Sequence, residues 1–237
     1  MIQDYKVLAI IPARGGSKGI PKKNLSMVKG KTLLEWAINV AKAADVIDDI
    51  VVSTDDAEIE ELARKCGAEV LGKRPESLSN DSAKTVDVIR YEIKQFHERK
   101  GWGPDIVVLL QPTQPFRTKN DLLGALETFL DFGGEGGVVS LSEVDTHPLL
   151  IRKFIDGKSI PILNMNSTVR RQDFPKFWKV NGAVYINWAR DYQTEGLSLN
   201  DNLHGYITSE WTKVDIDTQE DLEYANFISE RLFAEIR

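Results

Sequence analysis

KVLAIIP at residues 6–12 and ARGGSKGIPKKN at residues 13–24 decide the fold. The first stretch is an unbroken apolar run ending in proline, the pattern of a central parallel strand buried on both faces. The second is a glycine-rich, basic loop. Leu33, Leu34, Ala37, Ile38 and Ala41 then recur at helical spacing. A strand, a polar loop and a helix in this order form the first half of a βαβ unit, and a parallel neighbour is expected to follow.

It follows at residues 49–54 (DIVVST), with a helix over 57–66 and a short third strand at 68–71. Residues 72–81 are polar and read as a loop. Val86, Ile89, Ile93 and Phe96 mark the next helix, and 106–110 (IVVLL) the next buried strand, stopped by the two prolines of QPTQP. A helix at about 119–132 and a strand at 137–141 come after it. Short strands are expected at 184–186 and 214–216, and a closing helix at 219–236. Alternation of this kind predicts an α/β fold, a Rossmann-like, doubly wound and mostly parallel sheet with helices on both faces. Residues 142–180 break the rhythm, with apolar patches at 151–155 and 160–163 flanking Asp156-Gly157, a hairpin signal. The chain therefore reads as one domain over 1–237 with a small β-hairpin lobe inserted at 142–180.

Composition narrows the function. A formal net charge of −6 disfavours broad nucleic-acid binding, because a phosphate backbone needs a cationic face. The one cysteine, Cys66, excludes an intrachain disulfide, and its helical setting suggests a buried structural thiol. No apolar run approaches a bilayer span, and no charged segment near the start leads into an apolar signal core. A cytoplasmic location and no membrane partner are expected.

In such sheets ligands bind beyond the carboxyl ends of the strands, where the polar motifs of this chain fall. Gly15, Gly16 and Gly19 let the backbone of the 13–24 loop turn tightly and approach a ligand. Its N–H groups can cradle phosphate oxygens, while Arg14, Lys18 and Lys23 supply the positive charge that a phosphoryl transition state and a pyrophosphate leaving group require. Neither the Walker A spacing nor Gly-x-Gly-x-x-Gly is present, so an NTPase or a dehydrogenase is disfavoured. Asp215 and Asp217 alternate, so their carboxylates share a face. They suit Mg²⁺, and equally Asp217 or Thr218 suits the cap of the helix that follows.

The 13–24 loop resembles the nucleotide-binding signature of the CMP-sialic acid synthetases, the N-acylneuraminate cytidylyltransferase family. The likeness extends in order through Ser53-Thr54-Asp55, Lys73-Arg74-Pro75, LQPTQPFR at 110–117, NGAVYI at 181–186 and VDIDT at 214–218. It implies a sheet of the nucleotide-diphospho-sugar transferase type. It also implies Arg14, Gly15, Gly16, Ser17, Lys18, Lys23, Asn24 and Arg74 as CTP contacts, with Arg74 near the base. Gln111, Arg171, Asn181 and Tyr185 are implied as contacts to a nonulosonic acid, with Arg171 suited to a bidentate carboxylate pair. By residue type alone, Gln111 could instead steady a loop and Tyr185 could simply pack. The resemblance favours metal for Asp215 and Asp217, Mg²⁺ or alternatively Mn²⁺, and a homodimer through the 142–180 lobe. His147-Pro148 is followed by Leu149-Leu150 where some family members carry a lysine soon after, which leaves the sugar open; His147 also suits a turn.

The reaction so implied is attack of the sugar's anomeric hydroxyl on the α-phosphorus of CTP, with Arg14, Lys18 and Asp217 as catalytic groups and pyrophosphate leaving. The general base stays open between Asp217 and a water on the metal. A legionaminic acid or Kdo cytidylyltransferase is the near alternative, with QPTQP at 111–115 and NGA at 181–183 resembling the sialic acid branch better than the Kdo one. A hexose-1-phosphate nucleotidyltransferase is more distant. A catalytically inactive nucleotide-binding homologue is the alternative of another class.

Overall fold

Strand β1 (Val7–Pro12) divides the interior in two, because successive side chains of a strand point to opposite faces. In a computed structural model, which describes residues 5–165, 168 and 170–232, Val7, Ala9 and Ile11 face one apolar core and Leu8 and Ile10 face another. All five are at most 1% exposed, so the unbroken apolar run is needed on both faces.

The chain continues through a small hairpin, β2 (Met27–Val28) and β3 (Lys31–Thr32), into α1 (Leu33–Ala43). Thr32 caps α1 with Glu35 in a reciprocal capping box. Next come β4 (Asp49–Ser53), α2 (Ala57–Lys65), α3 (Thr85–Lys100), β5 (Ile106–Leu109), α4 (Lys119–Asp131) and β6 (Val138–Glu143). The lobe contributes β7 (Arg152–Ile155) and β8 (Lys158–Pro161), and the chain closes with β9 (Trp178–Trp188), β10 (His204–Ile207) and α5 (Gln219–Leu232). The six-stranded sheet has the order β10-β6-β9-β5-β1-β4. Parallel pairs join β1 to β4 and β5, and β10 to β6. Only β9 runs against its neighbours. Helices α1, α2 and α4 cover one face and α3 the other, so the expected α/β fold with a doubly wound, mostly parallel sheet is what forms. A third, smaller cluster packs α5 under Ile20, Val28, Leu33 and Phe116.

Several expectations need correction. The strand expected at 68–71 is only a pair of isolated bridges, Val51 to Glu69 and Thr54 to Lys73. The short strand at 184–186 is the middle of β9, which is eleven residues long and antiparallel. No strand forms at 214–216; that segment is anchored by bonds from Val214 N to Trp211 O and from Ile216 N to Thr113 O. Strand β10 was not foreseen. The lobe hairpin does form, turning at Asp156 and Gly157, whose φ values of 49° and 74° suit Asp-Gly. Helix α5 is described to Leu232, and the rest of the expected helix lies outside the described residues. Cys66 is half-buried at the end of α2. Among the described residues no helix is long and apolar enough to cross a membrane.

Candidate functional site

The basic loop leaves the end of β1 and is held from within. Gly15 N donates to Asp55 Oδ1 at 2.9 Å, and the buried Asn24 donates from Nδ2 to Arg14 O at 2.9 Å. The glycines serve a different end from the one their sequence suggests. None has a positive φ. A Cβ on Gly15 would meet the Asp56 side chain at 2.7 Å, and one on Gly19 would meet the Asp217 carbonyl oxygen at 2.0 Å. Both therefore permit close packing inside the protein. Gly16 alone of the three has open space around it and lines a cleft.

That cleft lies beyond the carboxyl ends of β1, β4 and β5, and its volume of about 430 Å³ falls in the range of small-molecule sites. From the basic loop it takes Arg14, Gly16, Ser17, Lys23 and Asn24. Arg74 enters from the segment between α2 and α3, Gln111 from the loop after β5, and Asp215 and Asp217 from the segment before α5. Nine of the residues expected at the site thus share one cavity. Lys18 is mostly exposed beside it, and Gly15 supports the loop from behind.

Asp81 holds the cations together. Its carboxylate lies 2.7 Å from Arg14 Nη2 and 2.9 Å from Lys18 Nζ. Hydrogen bonds from Lys18 and then Arg14 keep its pKa below the ordinary carboxylate value. A single carboxylate between two cations occupies the kind of position a phosphate would take. The sequence marks residues 72–81 as a polar loop and singles out Arg74 within it, but gives no role to Asp81. The only signal was the need for so many clustered cations to find an anion.

Asp215 and Asp217 do share a face, since Val214 and Ile216 between and before them are buried. The capping question is answered by Thr218, whose Oγ1 accepts from Asp221 N while Asp221 Oδ2 accepts from Thr218 N. Asp217 is therefore spared from capping, and its Oδ1 pairs instead with Lys23 Nζ at 2.7 Å. Desolvation raises the pKa of Asp215, and the neighbouring Asp217 charge adds to the rise. Two carboxylates that repel one another at the edge of a phosphate-sized cleft fit a hard divalent cation whose remaining ligands are phosphate and water oxygens. No group of three or more His, Cys, Asp or Glu suited to a metal is found among the described residues, so the pair would share any ion with a ligand.

Gln111 also lines a second cleft, with Tyr185, Asn200, Lys84 and Thr85. Tyr185 donates from its hydroxyl to Asn200 Oδ1 at 3.0 Å. Burial, and after it the Asp215 charge, raises the Tyr185 pKa. Gly182 (φ 79°) leaves room for Gln111, whose Oε1 would lie 2.6 Å from a Cβ placed there. The other two expected sugar contacts sit elsewhere. Asn181 lines neither cleft: its Oδ1 accepts from Ser140 Oγ at 2.6 Å and its Nδ2 donates to Thr208 Oγ1 at 2.8 Å, lacing β9 to its neighbours. Arg171 lies in the lobe, in a separate cleft with His147 and Phe174. His147 takes its turn role, accepting from Leu149 N at Nδ1.

Residues 8–153 match the family described as Cytidylyltransferase. An N-acylneuraminate cytidylyltransferase from Streptococcus agalactiae serotype V is 32% identical over 91% of this chain and 51% of its own length. The chain thus spans about half the length of that relative. A CMP-N,N'-diacetyllegionaminic acid synthase from Legionella pneumophila is 33% identical over 78% of this chain and 79% of its own. Among solved structures, a CMP:2-keto-3-deoxy-manno-octonic acid synthetase complexed with CTP superposes with a TM-score of 0.70 at 18% identity, over 96% of this chain and 99% of that one.

Proposed function

This chain belongs to the cytidylyltransferase family, and from that membership we propose that it joins CMP from CTP to a nonulosonic acid of the sialic acid type. The observation that carries this reading is the meeting at Gln111 of two clefts. One is lined by Arg14, Lys23, Arg74 and the Asp215–Asp217 pair, the other by Tyr185 and Asn200. A nucleotide triphosphate in the first and a polyhydroxylated acid in the second would bring their reacting ends together, and proximity supplies much of the rate in such transfers.

In this reading the anomeric hydroxyl attacks the α-phosphorus. A new P–O bond forms, the bond to the β-phosphate oxygen breaks, and pyrophosphate departs. Arg14 and Lys18 exchange Asp81 for the phosphates and then neutralise the leaving group. Arg74 faces the base. Lys23 holds Asp217 in place. Asp215 and Asp217 would hold Mg²⁺, or Mn²⁺, which when bound supplies charge neutralisation at the phosphates. The hydroxyl proton leaves to Asp217 or to water. With CTP as donor, the reaction belongs in the cytoplasm. The lobe exposes Phe154 (79%), Ile155, Ile160 and Ile162, apolar side chains on its two faces that support a homodimer through residues 142–180.

Which acid is used is the finer question, and relatives named for two different acids are equally similar at 32% and 33% identity. The test is pyrophosphate release with CTP and Mg²⁺, run in parallel with N-acetylneuraminic acid, N,N'-diacetyllegionaminic acid and Kdo. Release with one nonulosonic acid, abolished by EDTA, is the expected result. Silence with all three, despite CTP binding, would favour an inactive homologue.

A further inference from the structure

Helix α3 carries a buried acid with no part in the chemistry above. Glu92 is 1% exposed, and beyond the neighbouring Ser53 hydroxyl its carboxylate has no hydrogen-bond partner among the described residues. Ser53 Oγ at the end of β4 and Arg74 Nη2 are two of the seven other buried polar atoms without a well-formed hydrogen bond among the described residues. The Ser53 hydroxyl stands beside the Glu92 carboxyl, and Arg74 is within its electrostatic reach. Three elements thus turn unused polar groups toward one spot beneath the nucleotide cleft. Buried polar groups ordinarily have partners, so such a cluster asks for a role.

Arg74 supplies it. The residue is 4% exposed, so its guanidinium has little solvent to stabilise its charge. Its Nε donates to Ser79 Oγ at 3.3 Å, and Nη2 lies 3.9 Å from Asp55 Oδ1, too far for a hydrogen bond. These contacts leave the guanidinium loosely held. A carboxylate behind it would fix the direction in which it meets the cleft.

We propose that Glu92 is a positioning residue for Arg74, its buried carboxylate steering the guanidinium toward the nucleotide without itself touching substrate. The proposal rests on the functional reading above, which assigns Arg74 to CTP. Burial lifts the Glu92 pKa to about 7, so the steering charge grows as pH rises through neutrality. Charged and titratable groups around it are Arg74 and, from the last turn of α3, Arg99; Asp55 and Arg14 act on Arg74. Strand β1 presents only Leu8 and Ile10 to this core, and the turn 189–193 packed on α3 adds Arg190, Asp191 and Tyr192.

The experiment measures CTP dissociation constants between about pH 6 and 8 for the wild type, Glu92→Gln and Glu92→Leu, with KM for the sugar acid and melting temperature alongside. The wild type is expected to bind CTP more tightly as pH rises through neutrality. Glu92→Gln keeps the shape without the charge and should hold the weaker affinity at every pH. Glu92→Leu should weaken CTP binding by about tenfold, the order of one charge-assisted contact, with little change in KM for the sugar acid. If Glu92→Leu does not fold, the pH course of Glu92→Gln decides alone. A pH course shared by Glu92→Gln and the wild type would overturn the assignment. So would equal losses for CTP and sugar acid. Absence of CTP binding by the wild type would instead sink the functional reading, and this one with it.

Discussion

Gly19 and Asp217 touch through their backbones so closely that a Cβ on the glycine would stand 2.0 Å from the aspartate's carbonyl oxygen. Real side chains never approach so near, and the obstacle is backbone, so the Asp217 segment must move. Gly19→Ala is expected to cost about 1–3 kcal/mol of stability through this overlap. It should lower kcat more than it weakens CTP binding, because the displaced group is a carboxylate of the reacting end. Steady-state kinetics with a thermal melt checks this; unchanged kcat would show that Asp217 tolerates the shift.

Asp217 itself gives the sharper test. Its carboxylate is spared from capping by Thr218 and pairs with Lys23. Asp217→Ala should reduce turnover by roughly 10²–10³-fold, the scale of losing one electrostatic element of a transition state. CTP affinity, measured by calorimetry, should largely survive. Turnover near that of the wild type would remove Asp217 from the mechanism and weaken the assignment of a metal to the pair.

The Tyr185–Asn200 hydrogen bond belongs to the second cleft alone. Tyr185→Phe removes one hydroxyl and should raise KM for the sugar acid by about three- to tenfold, the worth of one neutral hydrogen bond. KM for CTP should not follow. A matching rise for both substrates would mean that the two clefts do not divide the ligands as proposed.

Stability should carry a signature of Glu92 apart from any ligand. Its pKa rises in the fold from the model-peptide value of 4.5 to about 7, chiefly by desolvation. The folded chain therefore keeps a proton that the unfolded chain releases. This contribution is full below the lower value and is lost as pH rises through the higher one, a change on the order of 3 kcal/mol. Glu92→Gln lacks the titration. Its melting temperature relative to the wild type should therefore rise between pH 5 and 8, and a constant difference across that range would contradict the buried acid.

Much of the fold was legible because burial writes itself into residue type. VLAII at 7–11 must be apolar throughout when both faces of β1 are covered, and Thr32-x-x-Glu35 announces its own helix start. Pairing is less legible. Residues 214–217 alternate inside and outside as a strand would, yet alternation reports exposure and not a ladder partner. The same difficulty hid β10, whose exposed Ile207 and single glycine give little apolar signal. At the site, residue types and order singled out the 13–24 loop and the Asp215–Asp217 pair, which the fold brings to one cleft. They did not show that the Asn181 amide is consumed between strands, that Arg171 stands apart, or that Asp81 lies between Arg14 and Lys18. Those facts depend on loop paths, which side-chain chemistry constrains only weakly.

The contact between Lys23 and Asp217 joins residues 194 apart in the chain. During synthesis the first strands can pair while the ribosome is still far from the VDIDT segment, since domains gather structure from the N-terminal side. The cleft proposed for the nucleotide cannot be finished in that interval. Its acidic edge arrives last and must find a loop made much earlier, a closure across most of the chain that ranks among the slowest to form. A nascent chain can thus hold its basic loop folded with the cleft still open on one side, and on the proposed function it would turn over only once the segment around residue 217 has emerged and docked.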